Sequence, residues 1–195
     1  MIYWISHCFF VVLSRIFFPL KVLGRERLPM REGFIIASNH ISNLDPFVLG
    51  VSSGRRLSYV AKESLFKNRI LRFILYRVGA FPIKRGASDF RAIRETMRRL
   101  KQGSPVVFFP EGTRKASGGE KRAQSGIGLI AAKSRAPVVP VLIKDSDRVL
   151  APGSKRLKRH RVTVVFGGPL RFSEEQSYPE IANEVMEGIR SLVEK

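Results

Sequence analysis

The chain has 195 residues, enough for one domain with a substantial core and too few for two comfortable ones. A hydrophobic fraction of 44% excludes a disordered chain, and the single cysteine, Cys8, excludes an intramolecular disulfide. Thirty-five Lys and Arg against 16 Asp and Glu leave a net charge of +19, which asks for a polyanionic partner, either nucleic acid or the anionic face of a membrane.

Residues 1–23 decide between those polyanions. The segment is dominated by Ile, Val, Leu and Phe and carries only Arg15 and Lys21 as charges. No basic residue precedes its apolar run and no small-residue cleavage site follows, so a secretory signal is disfavoured. A spanning helix needs roughly 20 apolar residues, and here His7, Ser14, Arg15 and Pro19 interrupt the run. The expectation is a monotopic anchor over residues 1–23, with Tyr3 and Trp4 at headgroup depth, followed by a catalytic-type domain over 24–195. An isolated nucleic-acid-binding domain has no use for such a segment, so no nucleic acid is expected.

Gly24 to Pro29 is a turn-like lead-in to the apolar run Phe34-Ile35-Ile36-Ala37, which reads as a buried strand. Pro46 opens a helix, residues 57–61 form a second short strand, and residues 63–78 an apolar helix-like stretch. Residues 81–83 are a brief strand. Residues 88–102 give the clearest helix, with Phe90, Ile93, Met97 and Leu100 at helical spacing and Gly103 as its stop. A strand over 106–109, a loop over 115–124, a small-residue helix over 126–134, strands over 138–143 and 161–166 and an amphipathic helix over 179–194 complete the chain. Strands alternating with helices predict a single-domain α/β sandwich with a mostly parallel central sheet and an N-terminal membrane-associating helical segment.

The chemistry concentrates in Asn39-His40-Ile41-Ser42-Asn43-Leu44-Asp45-Pro46, directly after the first buried strand. His40 stands at a strand end, and Asp45 lies five residues on, before a proline that turns the chain. That spacing lets the carboxylate reach one imidazole nitrogen, fixing the tautomer and leaving the other nitrogen free to take a proton from a hydroxyl. No serine completes a triad, so the activated hydroxyl belongs to the substrate and the reaction is direct transfer onto an alcohol. Asn39 and Ser42 brace the turn through hydrogen bonds to the backbone. With three histidines and no Cys/His or Glu/His pair at ligand spacing, no metal site is expected.

The His40-x4-Asp45 block is followed in order by Gly79-Ala80-Phe81-Pro82-Ile83-Lys84-Arg85-Gly86, Phe109-Pro110-Glu111-Gly112-Thr113-Arg114 and Val138-Val139-Pro140-Val141. Together these blocks resemble the glycerolipid acyltransferases marked by an H-x4-D motif, and are most similar to the 1-acylglycerol-3-phosphate acyltransferases of the bacterial type. The resemblance covers residues 22–170 or so. It implies transfer of a fatty acyl group from acyl-CoA or acyl carrier protein to the sn-2 hydroxyl of lysophosphatidate, forming phosphatidic acid, with no cofactor besides the donor substrate. His40 is then the general base and Asp45 its support. Arg85 and Arg114, each at the end of a strand and each matching a block of the family, are candidates for the acceptor phosphate. Glu111 either accepts hydrogen bonds from the acceptor or holds Arg114. Gly112 and Thr113 shape the loop, and Lys62 is a further phosphate candidate. Pro140 is expected at a sheet edge, its strand forming an apolar wall for the acyl chain. Lys84 stands before Arg85 where the family often has an acidic residue, which leaves acceptor identity open.

The expected location is the cytoplasmic face of the inner membrane, with the anionic bilayer surface and its lysolipid as partners. Acylation of another lysophospholipid, of glycerol phosphate or of an amino-acid-based lipid is the alternative within the class. A basic binding module would need neither the His40/Asp45 pair nor the Glu111/Arg114 block, and a thioesterase would not need two acceptor-binding arginines.

Overall fold

The structure is a computed structural model that describes residues 11–12, 14–83, 90–110, 120–154, 156–173 and 175–193, with only the backbone course for 120–125. Its organising element is a seven-stranded sheet in the order β1-β7-β6-β2-β5-β3-β4. The strands are β1 (Leu20–Leu23), β2 (Ile35–Ser38), β3 (Ser58–Lys62), β4 (Ala80–Ile83), β5 (Val106–Phe108), β6 (Val138–Lys144) and β7 (Val162–Phe166). Strands β2 to β6 all run the same way, while β7 is antiparallel to β6 and carries β1 parallel to itself.

Central strands such as β2 (IIAS) and β6 (VVPVLIK) are nearly continuous apolar runs because both faces of the sheet are covered. Alternate residues feed two cores. Ile35, Ala37, Val106, Val138 and Leu142 pack on one face with helices α3 (Phe90–Lys101), α4 (Glu120–Ser134) and α6 (Tyr178–Arg190). Ile36, Val107, Val139, Val141 and Ile143 pack on the other with α1 (Asp45–Ser53) and Phe18. Helix α2 (Arg69–Arg77) lies in the connection between β3 and the edge strand β4, and a short helix α5 (Ser146–Val149) follows β6.

Local chemistry sets the element ends. Gly103, at φ +77°, closes α3 in the left-handed conformation that glycine adopts without steric cost. Ser177 and Glu180 form a reciprocal capping box at the start of α6. At Gly128 a Cβ would stand 2.0 Å from the carbonyl oxygen of Tyr178, so the absence of a side chain is what lets α4 and α6 meet closely.

Four expectations are corrected. The stretch 63–78 is two elements, a 3₁₀ turn over Glu63–Phe66 and then α2, because the Asn68 side chain accepts from the backbone of Ile70 and Leu71 and caps a new helix there. The expected loop over 115–124 becomes helical from Glu120, since Glu, Lys, Arg, Ala and Gln are all good helix formers. Pro140 is in an interior strand, not at an edge. Its carbonyl accepts from Gly167, so its missing N–H falls on the β7 side beyond Phe166, the last residue of β7 in register with β6, and the β2 side stays intact. Val138, Val139 and Val141 are fully buried in the two cores and so form packed interior, not a wall open to a ligand.

The expected segment boundary at residue 23 also shifts. Phe18 is fully buried, and residues 20–23 form the edge strand β1, hydrogen-bonded to the apolar β7, so the end of the apolar segment belongs to the sheet. Ahead of it, residues 14–17 are helical, with Ile16 exposed. Among the described residues no helix is long and apolar enough to cross a membrane.

Candidate active site

The shared direction of β2 to β6 brings several sequence-distant segments to one edge, where an open parallel sheet places its ligand site. At that edge β2 ends at Ser38 and hands the chain to Asn39 and His40. The Asn39 side chain continues the β2–β6 ladder, donating to the Ile143 carbonyl and accepting from the Ile143 N–H, both at 2.8 Å. The turn is thereby pinned to the sheet immediately before the histidine.

His40 Nδ1 donates to Asp45 Oδ2 at 2.8 Å. Asp45 is the first residue of α1, with Pro46 in the opening turn, so its carboxylate folds back over the turn that joins β2 to the helix. The same Oδ2 accepts from the backbone N–H groups of Ile41 and Ser42, each at 2.8 Å. Oδ1 accepts from Ser146 Oγ at 2.6 Å. Asp45 is therefore completely buried and satisfied by four donors, while the His40 side chain keeps 17% of its surface exposed. The ring stacks on Phe109, with centroids 4.1 Å apart and planes at 22°. Nε2 has no hydrogen-bond partner among the described residues. Chemically, this is an imidazole with one nitrogen held by a carboxylate and the other available to a hydroxyl.

Ser42 is buried and donates to the Leu150 carbonyl at 2.7 Å, so it braces the turn and is not presented as a nucleophile. Lys62 ends β3 on the same edge, exposed and without an ion pair among the described residues, but two strands away from β2. Arg85, Glu111, Gly112, Thr113 and Arg114 lie outside the described residues. The described chain leaves the sheet for them at Ile83 and Pro110, both at the His40 edge. A cleft of about 270 Å³ between Tyr76, Phe81, Arg91 and Glu95 lies instead beside the edge strand β4, three strands from β2.

Sequence reasoning missed Ser146 and Phe109. Ser146 is 101 positions from Asp45, and only the parallel pairing of β2 with β6 brings it near. The residue before it, Asp145, turns the chain in a left-handed conformation at φ +65°, which short polar side chains tolerate. Phe109 was visible as the first residue of a quoted block, but nothing in the sequence says that it faces an imidazole.

An imidazole held on one nitrogen by a buried carboxylate, at the carboxyl edge of a doubly covered parallel sheet, has the geometry to take a proton from a hydroxyl. The chain belongs to the Acyltransferase family, whose model matches residues 19–144. It is 30% identical over 161 residues to the 1-acyl-sn-glycerol-3-phosphate acyltransferase of Bacillus subtilis, covering 82% of this chain and 78% of that one. It is also 30% identical over 162 residues to a chloroplastic 1-acyl-sn-glycerol-3-phosphate acyltransferase of Arabidopsis thaliana, covering 81% of this chain and 45% of the plant protein. The chain thus spans about half the length of its chloroplastic relatives. Its structure is similar to the crystal structure of the 1-acyl-sn-glycerophosphate (LPA) acyltransferase PlsC from Thermotoga maritima, with a TM-score of 0.75 and 26% identity over all of this chain and 79% of that one.

Proposed function

We propose that this chain is a 1-acyl-sn-glycerol-3-phosphate O-acyltransferase. It takes a fatty acyl group from the thioester of acyl-CoA or acyl carrier protein, places it on the sn-2 hydroxyl of lysophosphatidate, and releases phosphatidate and the free thiol. The observation that carries this reading is the buried Asp45 holding His40 Nδ1 at 2.8 Å while Nε2, at the carboxyl edge of β2, has no partner among the described residues. The names of the relatives supply the substrate class.

In this reaction His40 Nε2 accepts the proton of the sn-2 hydroxyl as its oxygen attacks the thioester carbonyl. Asp45 keeps Nδ1 protonated and supports the imidazolium that forms. The tetrahedral intermediate collapses by breaking the carbon–sulfur bond, and the imidazolium returns its proton to the leaving thiolate. A thioester is already an activated acyl group, so the chemistry asks for no covalent enzyme intermediate. Arg85 and Arg114 bind the acceptor phosphate, with Glu111 positioning Arg114 or a glycerol oxygen and Lys62 adding charge at the same edge. Gly112 and Thr113 shape the loop between them. The residues ahead of β1 attach the enzyme to the cytoplasmic face of the inner membrane as a monotopic anchor, a reading supported by the apolar sequence of 1–17 and by Val12 and Ile16 standing exposed.

The test is a thiol-release assay on the purified protein with acyl-CoA and acyl carrier protein as donors and a panel of lysolipids as acceptors. Lysophosphatidate is expected to be preferred, and His40→Ala to lose about 100- to 10,000-fold in turnover while remaining folded. Near-normal turnover in folded His40→Ala would sink the mechanism, and preference for an acceptor without phosphate would sink the substrate assignment. Deleting the residues ahead of β1 should release much of the protein from membranes, leaving a salt-sensitive remainder. Retention of the truncated protein through a high-salt wash to the same extent as the full chain would overturn the anchor.

A further inference from the structure

Helix α2 departs from the other long helices of this fold. Helix α6 buries Ile181, Ala182, Val185, Met186 and Ile189 against the sheet, whereas α2, of sequence RILRFILYR, has no buried residue at all. Ile70 is 74% exposed, Phe73 52% and Ile74 46%, which are high values for aliphatic and aromatic side chains. Lys67, Arg69 and Arg72 surround these residues, and none forms an ion pair among the described residues. The helix itself contains no acidic residue.

Its place in the fold gives the pattern a direction. The chain reaches α2 from the carboxyl end of β3, the edge that carries His40. Helix α2 starts at the β4 end of that edge and runs back toward the amino end of β3, where the Arg77 carbonyl accepts from Arg56. The N-terminal segment enters at the opposite end, where Phe17 and Pro19 accept hydrogen bonds from His160 and Val162 at the start of β7. Six strand spacings, roughly 30 Å, separate the two ends, with β2 in between. The basic run 156–161, which contains Arg156, Lys158, Arg159 and Arg161, leads into β7 at the same end as the N-terminal segment.

We infer that α2 is a second membrane contact, an interfacial helix that seats Ile70, Phe73 and Ile74 among the acyl chains of an anionic bilayer while Lys67, Arg69 and Arg72 engage its headgroups. The inference rests on the reading that the acceptor is a membrane lipid. Exposed apolar residues interleaved with cations that form no ion pair among the described residues suit an anionic lipid surface, which takes up both at once. A second copy of this chain would oppose two cationic helices in a protein of net charge +19. With α2 and the N-terminal segment at its two ends, the edge that carries His40 lies along the bilayer, and a lysolipid reaches the imidazole without leaving the interface.

The test uses the full chain with its single cysteine replaced, Cys8→Ser. An environment-sensitive fluorophore is placed through Ile74→Cys, or through Glu184→Cys on α6 as a control. Protein bound to vesicles of phosphatidylcholine and phosphatidylglycerol, as verified by flotation, is expected to show the label at position 74 quenched by lipids carrying a nitroxide near the headgroup, with the label at 184 unquenched. Arg69→Gln with Arg72→Gln should weaken the salt-sensitive part of binding by about tenfold or more, at about 1 kcal/mol per cation. An unquenched label at 74 in vesicle-bound protein would overturn the proposal. So would a label shielded without vesicles in proportion to protein concentration, which would assign the face to self-association. Acyl transfer to detergent-dispersed lysophosphatidate separates the two readings. Transfer with no quenching removes only the α2 contact, whereas quenching with no transfer removes only the enzymatic assignment.

Discussion

Replacing Asp45 by Ala and by Asn separates two tasks that the carboxylate performs, holding the turn and supporting charge on His40. In Asp45→Ala the N–H groups of Ile41 and Ser42 and the hydroxyl of Ser146 lose their acceptor inside a buried site. Each such loss costs about 1–3 kcal/mol, so the variant forfeits about 3–9 kcal/mol from a total stability on the order of 5–15 kcal/mol. Even the lower figure corresponds to a fall in melting temperature of roughly 6–12 °C for a chain of this size. Asp45→Asn behaves differently. Its amide oxygen can occupy the Oδ2 position and keep the bonds from Ile41, Ser42 and His40, while its NH₂ faces Ser146 Oγ, which can rotate to accept. The fold should survive with a loss of about 1–2 kcal/mol, the difference between charge-assisted and neutral hydrogen bonds. The imidazolium then has no counter-charge, and turnover should drop by about 100-fold or more. Circular-dichroism melts and the thiol-release assay read the two effects separately. Refutation would be Asp45→Ala melting with the parent protein, or Asp45→Asn keeping more than a third of its turnover.

Ser146→Ala should lower turnover several-fold and leave the KM for lysophosphatidate unchanged, with Ser146→Thr restoring most of it. An unaltered rate would show that Ser146 does not help position Asp45. Phe109→Ala removes the ring stacked on His40 and should lower turnover by a comparable factor, since such pairs are worth about 0.5–1.5 kcal/mol. Arg85→Ala and Arg114→Ala should each raise the KM for lysophosphatidate about tenfold or more, and equal harm with an acceptor lacking phosphate would reassign them to the fold. In α3, hydrogen bonds from Arg98 and then Arg99 hold Glu95 down to about 2 from 4.5, against opposing desolvation, and Arg99 in turn reaches Ser58 and the Gly79 carbonyl. Because the folded value is depressed, this stabilisation is present above pH 4.5 and is lost as pH falls toward about 2. Glu95→Gln should therefore lower stability at neutral pH by about 1 kcal/mol after solvent screening, seen as a lower melting temperature, and the difference should close in acid.

By itself the sequence determined the fold class and the local chemistry. Uninterrupted apolar runs such as Ile35-Ile36-Ala37 and Val138-Val139 marked strands buried on both faces. The spacing of Phe90, Ile93, Met97 and Leu100, closed by Gly103, marked α3. The five-residue step from His40 to Asp45 is short enough for the pairing to be read from local geometry alone, and the structure places those two atoms in hydrogen-bond contact. The relation of distant segments was not legible, because it depends on strand order. Only the pairing of β2 with β6 and β5 brings Ser146 to Asp45, Asn39 to Ile143 and Phe109 to the imidazole. The same order places Pro140 in an interior strand, and draws residues 20–23 out of the apolar N-terminal run into the sheet. Hydrophobic pattern records that a residue is covered; which element covers it is set by how the layers close, and α2, apolar in sequence yet left uncovered, shows the two to be separate questions.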